Sequence, residues 1–344
     1  MGSNRLVRNL TKPLISVIII AHNRTEFVEE AILSVLHQRY DKEKYEIVLV
    51  KDFFKDSVDK LCDSSGIIKF ECSSKSIGAM MAAGIKNSKG RVIAFLDDDD
   101  TFSPDKLSVL ETVFVSDRNV AYYHNSHNLM NDKGIFTGRP LYRTLKSKLC
   151  IEHINLNLSA LLGLFKFGPD FNSSSIAISR EIADSCIDLL GELEIMPDSY
   201  FFYKSLSTNG KIILDDRILT NYRVHPSISN FVGDFNAFVT KFSVLANEYQ
   251  QAFDQIIANL GEGISKKCAI CKKVEWDIHS LALSKRIIKG DVLKKMLLFL
   301  KCNKVSIGSY KIMLIILAIA AVISPILSSS IYYVLKTGSI GKIL

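Results

Sequence analysis

Residues 77–107 read IGAMMAAGIKNSKGRVIAFLDDDDTFSPDKL. The opening part, 77–90, predicts a helix of small residues closed by Gly90. RVIAFL, 91–96, is a short apolar run without alternation, as expected of a strand buried on both faces. It runs directly into Asp97, Asp98, Asp99 and Asp100. A helix over 103–114 is predicted next, with Ser103 as N-cap and Pro104 in its first turn. Two unit charges 4 Å apart repel by about 4 kcal/mol at an effective dielectric near 20. A run of carboxylates at a strand end therefore needs a cation, a shared proton or open solvent.

Working outward, LISVIIIAHNR (14–24) is a buried strand ending in His22 and Asn23. Residues 26–38 place Phe27, Val28, Ala31, Ile32, Val35 and Leu36 on one helical face. Strands follow at 45–52 and 67–72, with a short helix at 56–65 between them. Strand and helix alternate at short intervals, which implies a parallel sheet covered by helices on both faces. Ligands in such sheets bind beyond the carboxyl ends of the strands. His22, Asn23, Asp52 and Asp97 to Asp100 all fall at such ends. Further along, a strand is expected at 172–179, helices at 180–191 and 199–210, a strand from 211, and a long amphipathic helix at 235–261.

The 344 residues carry a net charge of +7, unevenly placed. From Glu262 to Lys311 there are twelve Lys or Arg against four Asp or Glu, a net of +8. A near-neutral body followed by a basic segment argues against a nucleic-acid binder, which would be basic over its binding face. No secretory signal is visible. Seven cysteines are too few and too scattered for a disulfide framework in a chain of this length. Cys268 and Cys271 form one C-x-x-C, but only His279 lies nearby, short of a structural zinc set.

Residues 312–335 contain no charge. As one helix they would measure roughly 36 Å, enough to cross a bilayer core. Pro325 and the serines 328–330 favour a kinked span or two short interfacial helices instead. Folding back onto the body as an ordinary hydrophobic helix is the competing expectation. The basic segment before it suits an anionic membrane face and puts the body on the cytoplasmic side. The expected organisation is thus 1–230, a helical basic extension over 231–305, and a hydrophobic segment over 306–344.

Three chemistries fit the aspartates. Asp97 and Asp99 could form a D-x-D site for Mg²⁺ or Mn²⁺, hard cations that take carboxylate oxygens and share the site with phosphates. AFLDDDDT also fits the motif of haloacid dehalogenase-like phosphatases, with Asp97 as nucleophile and the pair Asp215–Asp216 as late acids. A solvated loop capping the next helix is the plainest reading. The phosphatase motif belongs on its fold's first strand, whereas roughly 95 residues of strand–helix alternation precede Asp97 here.

Several ordered blocks together resemble the large second family of glycosyltransferases, inverting enzymes of the GT-A fold. ISVIIIAHNR resembles that family's first strand, AILSVLHQRY its first helix, YEIVLVKDFFKD its second strand and turn, and the 77–107 block its D-x-D region. PDSYFFYKSLSTNGKIILDDRILTNYRVHPSISN resembles the later segment holding the catalytic base and a Y-R-x-H sequence. The resemblance covers about residues 14–230.

It implies a mostly parallel GT-A sheet followed by a C-terminal helical extension. It also implies transfer of a sugar from a UDP- or GDP-linked donor to a glycan or lipid-linked acceptor, with Mn²⁺ or Mg²⁺ as cofactor. Asp198 would be the general base; Ala21, His22, Asn23, Asp52, Gly78 and Asp97 would hold the nucleotide sugar; Asp99 and His225 would hold the metal. Departures from the family pattern are Lys51 beside Asp52, Pro197 in place of the acid before Asp198, and Lys204 where an arginine is usual. They keep open a third possibility, a relative that binds nucleotide without turnover.

Overall fold

The computed structural model describes residues 12–74, 76–137, 142–152, 156–224, 234–284, 289–302 and 309–337. Strand and helix alternate as the apolar pattern demands: β1 (Ile15–Ala21), α1 (Val28–Leu36), β2 (Tyr45–Lys51), α2 (Asp56–Ser65), β3 (Ile68–Glu71), α3 (Ile77–Lys86) and β4 (Val92–Asp97). β3, β2, β1 and β4 lie side by side and all parallel. β1 and β4 are apolar on both faces because both faces are covered. Ile18, Ile20, Ile93 and Phe95 enter one core, while Val17, Ile19, Ala94 and Leu96 enter the other.

A short strand β5 (Thr101–Phe102) leads to α4 (Lys106–Ser116) and the long β6 (Val120–Met130). The helix starts later than its sequence suggested. Asp105 is the residue before its first turn, and Ser103 instead takes its place beside β5 through its N–H to Leu219 O. Next come β7 (Leu149–Ile151), α5 (Leu158–Leu164), a 3-10 turn at 173–175, β8 (Ile176–Ser179), α6 (Arg180–Leu190), α7 (Pro197–Leu206) and β9 (Lys211–Arg223). β8 joins β4 antiparallel, β6 follows on β8, and β9 runs parallel to β6, extending the sheet to nine strands.

The remainder is helical: α8 (Phe235–Asn259), α9 (Ile264–Leu283), α10 (Lys289–Cys302), α11 (Ser309–Ile323) and α12 (Pro325–Thr337). α8 reaches the main core through Ala252, Phe253 and Ile256, and α9 through Cys268 and Ala269. Their other ends form a separate core with Met313, Leu314, Leu317 and Tyr332. The uncharged stretch is therefore two helices folded back against the body. Pro325 opens α12, where its missing N–H costs nothing. The Ser328 hydroxyl donates to Leu317 O at 3.1 Å and ties the hairpin together. Among the described residues no helix is long and apolar enough to cross a membrane, so the single-span reading gives way. Cys271 is bonded not to its C-x-x-C partner but to Cys302 of α10. Cys268 stays a buried thiol, which removes the zinc arrangement.

Candidate active site

Asp97 and Asp198 reach one cavity because of two side chains behind them. Phe95 of β4 stacks on Phe201 of α7, with ring centroids 4.7 Å apart. Asp97 lies two residues beyond Phe95 on the same strand face, and Asp198 lies three residues before Phe201 on the same helix face. Both carboxylates line a cavity of about 1000 Å³. Its near end is built by His22, Arg24, Ile77, Met81, Asp97 and Asp98, and its far end by Tyr249, Lys272, Glu275, Trp276, Tyr310 and Lys311.

The acidic cluster is wired tightly. Both Asp97 oxygens face the Ser173 hydroxyl, at 2.7 and 2.8 Å. Asp98 accepts the His22 N–H at 3.1 Å. Arg24 Nη2 lies between Asp98 (3.1 Å) and Asp99 (2.6 Å), supplying the nearest cation. Arg223, fully buried, clamps the same loop from behind: its Nε donates to Asp99 O and its N–H to Asp100 Oδ1, both at 2.8 Å. One cation in front does not offset the cluster. Burial, then repulsion from Asp99, pushes the Asp97 carboxyl up to about 6 and the Asp98 carboxyl up to about 8. Asp100 is raised well above the carboxylate range for the same reasons, and its Oδ2 is buried without a hydrogen-bond partner.

Asp198 sits in the first turn of α7, where the helix dipole favours a carboxylate. Its Oδ1 accepts the Ser199 N–H at 2.8 Å. Burial and then repulsion from Asp170 nevertheless push it up to about 7. Met196, at φ 64°, makes the left-handed turn into this helix, a strained choice for a residue other than glycine. Pro197, where the family has an acid, is simply the first residue of the helix.

Of the expected nucleotide-binding residues, His22 and Asp97 line the cavity. Asp52 and Asn23 brace His22. Its Nδ1 lies 2.7 Å from Asp52 Oδ2, while the Asn23 N–H donates to Asp52 Oδ1 at 2.9 Å. Ala21 is wholly buried in β1. Gly78 is a packing residue: a Cβ there would collide with the Leu190 and Leu193 carbonyl oxygens. Its helix meets the cavity through Ile77 and Met81 instead. His225 lies outside the described residues. Lys51, the odd charge beside Asp52, is buried and spends its ammonium on Phe53 O (2.9 Å), Asp59 and Glu71, holding α2 to β3. Asp215 pairs with Arg217 and Tyr123 and lines a different, much smaller cavity. The late acidic pair required by the phosphatase reading is thus absent from the Asp97 site.

Residues 16–161 match the family model described as glycosyl transferase family 2. The chain carries a family 2 glycosyltransferase domain. An uncharacterized glycosyltransferase of Rickettsia conorii is 38% identical over 132 residues, 37% of this chain. The chain spans about a fifth, 21%, of that relative's length. Among solved structures, S. aureus TarS 1–349 in complex with UDP-GlcNAc superposes with a TM-score of 0.58 at 13% identity, covering 94% of this chain and 91% of that one. The mannosyltransferase PcManGT from Pyrobaculum calidifontis, in complex with GDP-Man and Mn²⁺, gives 0.52 at 12% identity, covering 94% and 87%. These likenesses show a fold of the GT-A type.

Three parts of the site carried no signature in the sequence. Asp170 lies outside any motif, on an irregular stretch, yet faces α7 with Ser199 Oγ 3.2 Å from its Oδ2. Arg24 was visible as the last residue of the HNR strand end but had no assigned task. The far wall comes from α8, α9 and α11, well beyond the family-matched residues.

Proposed function

We propose that this glycosyltransferase moves a sugar from a UDP- or GDP-linked donor to a hydroxyl of a glycan or lipid-linked acceptor, inverting the anomeric centre in one displacement. The carrying observation is the shared cavity of Asp97 and Asp198, wide enough for a nucleotide sugar and an acceptor together. TarS and PcManGT, which share the fold, were solved with UDP-GlcNAc and GDP-Man.

Roles follow from position. Asp198 takes the proton of the attacking hydroxyl, its raised value placing it near neutral pH, where a general base works best. Burial, and after it repulsion from Asp170, keeps it there. His22, braced by Asp52, and Asp97, held by Ser173, form the donor end. Arg24 adds positive charge where the diphosphate would lie. Among the described residues no cluster of three or more His, Cys, Asp or Glu surrounds a point suited to a metal ion. Asp97 lines the cavity while Asp99, outside its lining, pairs with Arg24; the two carboxylates, with repulsion that Arg24 leaves unrelieved, still offer a hard divalent cation oxygen donors only. These two aspartates would hold Mn²⁺ or Mg²⁺ together with donor phosphate oxygens, and the ion would stabilise charge on the departing diphosphate.

The test is a thermal-shift and hydrolysis screen of UDP-, GDP- and dTDP-sugars with Mn²⁺, Mg²⁺ or EDTA. A true donor at 100 times its Kd adds about 2.7 kcal/mol of stability, and only with the metal. Responses that ignore the metal throughout would remove the D-x-D assignment. No response to any nucleotide sugar would remove the transferase reading.

A further inference from the structure

α11 is apolar around its whole circumference. One side, with Met313, Leu314 and Leu317, is buried against α9 and α12. The other exposes Ile312, Ile316, Ile319 and Ile323, spaced four, three and four residues apart, a single stripe along the helix. Ile323 is 71% exposed, and Ile326, just past the bend into α12, 74%. α10 repeats the pattern, exposing Leu293, Leu297 and Leu300. Lone exposed aliphatics need no explanation, but apolar stripes on two helices that pack together do. Over 289–337 the sequence has seven lysines and a single acid, Asp291. Lys294 and Lys301 are exposed beside the α10 leucines.

We infer that α10, α11 and α12 form a docking surface for an anionic lipid bilayer, lying in the interface without crossing it. Apolar stripes enter the acyl boundary, and the exposed lysines meet lipid phosphates. The charge decides the occupant. A second copy of the chain would set the exposed Lys294 and Lys301 against themselves, with Asp291 the one exposed acid of these helices to offset them. The site itself gives the surface a use. Tyr310 and Lys311 line the far end of the cavity and open the very helix that carries the isoleucine stripe. An acceptor anchored in the docked bilayer would meet the cavity at that end. Docking itself does not depend on the transferase reading.

The test is flotation of the full chain with vesicles of phosphatidylcholine alone or with about one third phosphatidylglycerol. The chain should float with the anionic vesicles at least tenfold more than with neutral ones, and lose most of that in 0.5 M salt. The Ile319→Glu/Ile323→Glu/Ile326→Glu variant should lose binding at least tenfold while keeping its melting temperature and donor hydrolysis. Should that variant fail to fold, Lys294→Glu/Lys301→Glu changes only exposed charges and should weaken binding severalfold. Absence of anionic-vesicle binding, or a dimer in sedimentation that the isoleucine variant dissociates, would overturn the inference. Flotation of a full chain that hydrolyses no donor would count against the transferase reading alone.

Discussion

Asp198→Asn should move catalysis and stability in opposite directions. The unfolded chain releases the Asp198 proton near 3.8, the folded one near 7. At roughly 1.4 kcal/mol per pH unit, the ionised group costs the fold about 4 kcal/mol above pH 7. Because the folded value is the higher one, stability falls as pH rises from about 4 to 7. Asparagine keeps the shape and the bond from the Ser199 N–H but carries no charge. In EDTA at pH 8 the variant should melt about 5 °C above the wild type, taking an unfolding entropy near 2.1 cal/mol/K per residue, with no gap at pH 4. Activity should move the other way. Wild-type kcat/KM should climb about tenfold per pH unit up to an apparent pKa near 7 and then level. The variant should lose that limb and run about 10² to 10⁴ slower. Nucleoside diphosphate release from the donor found in the screen reads the rates, and scanning calorimetry reads the melting. Asp170→Asn, which removes the repelling neighbour, should slide the limb to lower pH. A variant at Asp198 that keeps its rate within tenfold and retains the limb would refute the base assignment.

Gly78→Ala should lower stability by about 1–3 kcal/mol, because its methyl would meet two carbonyl oxygens; donor KM should not change, and a changed KM would return this glycine to the nucleotide site. Arg24→Ala should lower the melting temperature in EDTA, and Mn²⁺ should restore more of it than it adds to the wild type, since the ion and the guanidinium relieve the same repulsion. Phe201→Ala should cost about 3–5 kcal/mol through lost core packing and lower kcat more than it raises donor KM, because the ring sits on the same helix as Asp198, whereas Asp97 is also held by β4 and by Ser173.

The first hundred residues were legible because their strands are buried on both sides, so that apolar runs and polar ends mark every boundary. α2 begins and ends where the pattern placed it, and β4 delivers its aspartates as expected. Legibility failed where tertiary context overrode local signals. Gly78 looked like a ligand-contact glycine, but closeness to Leu190 and Leu193, more than a hundred residues away, decides its place. Lys51 looked like damage to a nucleotide turn, but its partners lie on α2 and β3. Asp170 has no periodicity or motif around it, and only the approach of α7 gives it a task. The uncharged tail has the composition of a bilayer span; a proline one residue into its second half turned it into a hairpin.

The cavity joins two distant parts of the chain across a middle stretch, 142–222, that carries Asp198, and this has an evolutionary consequence. The donor end is written in residues 20–98, within the family-matched part, and the far wall in residues 249–311, outside it. On the proposed reading, replacing the tail would retarget the enzyme to another recipient while its handling of the activated sugar stayed untouched. Diversification of such transferases can then proceed by exchanging carboxyl-terminal segments between genes, with no step through an inactive ancestor.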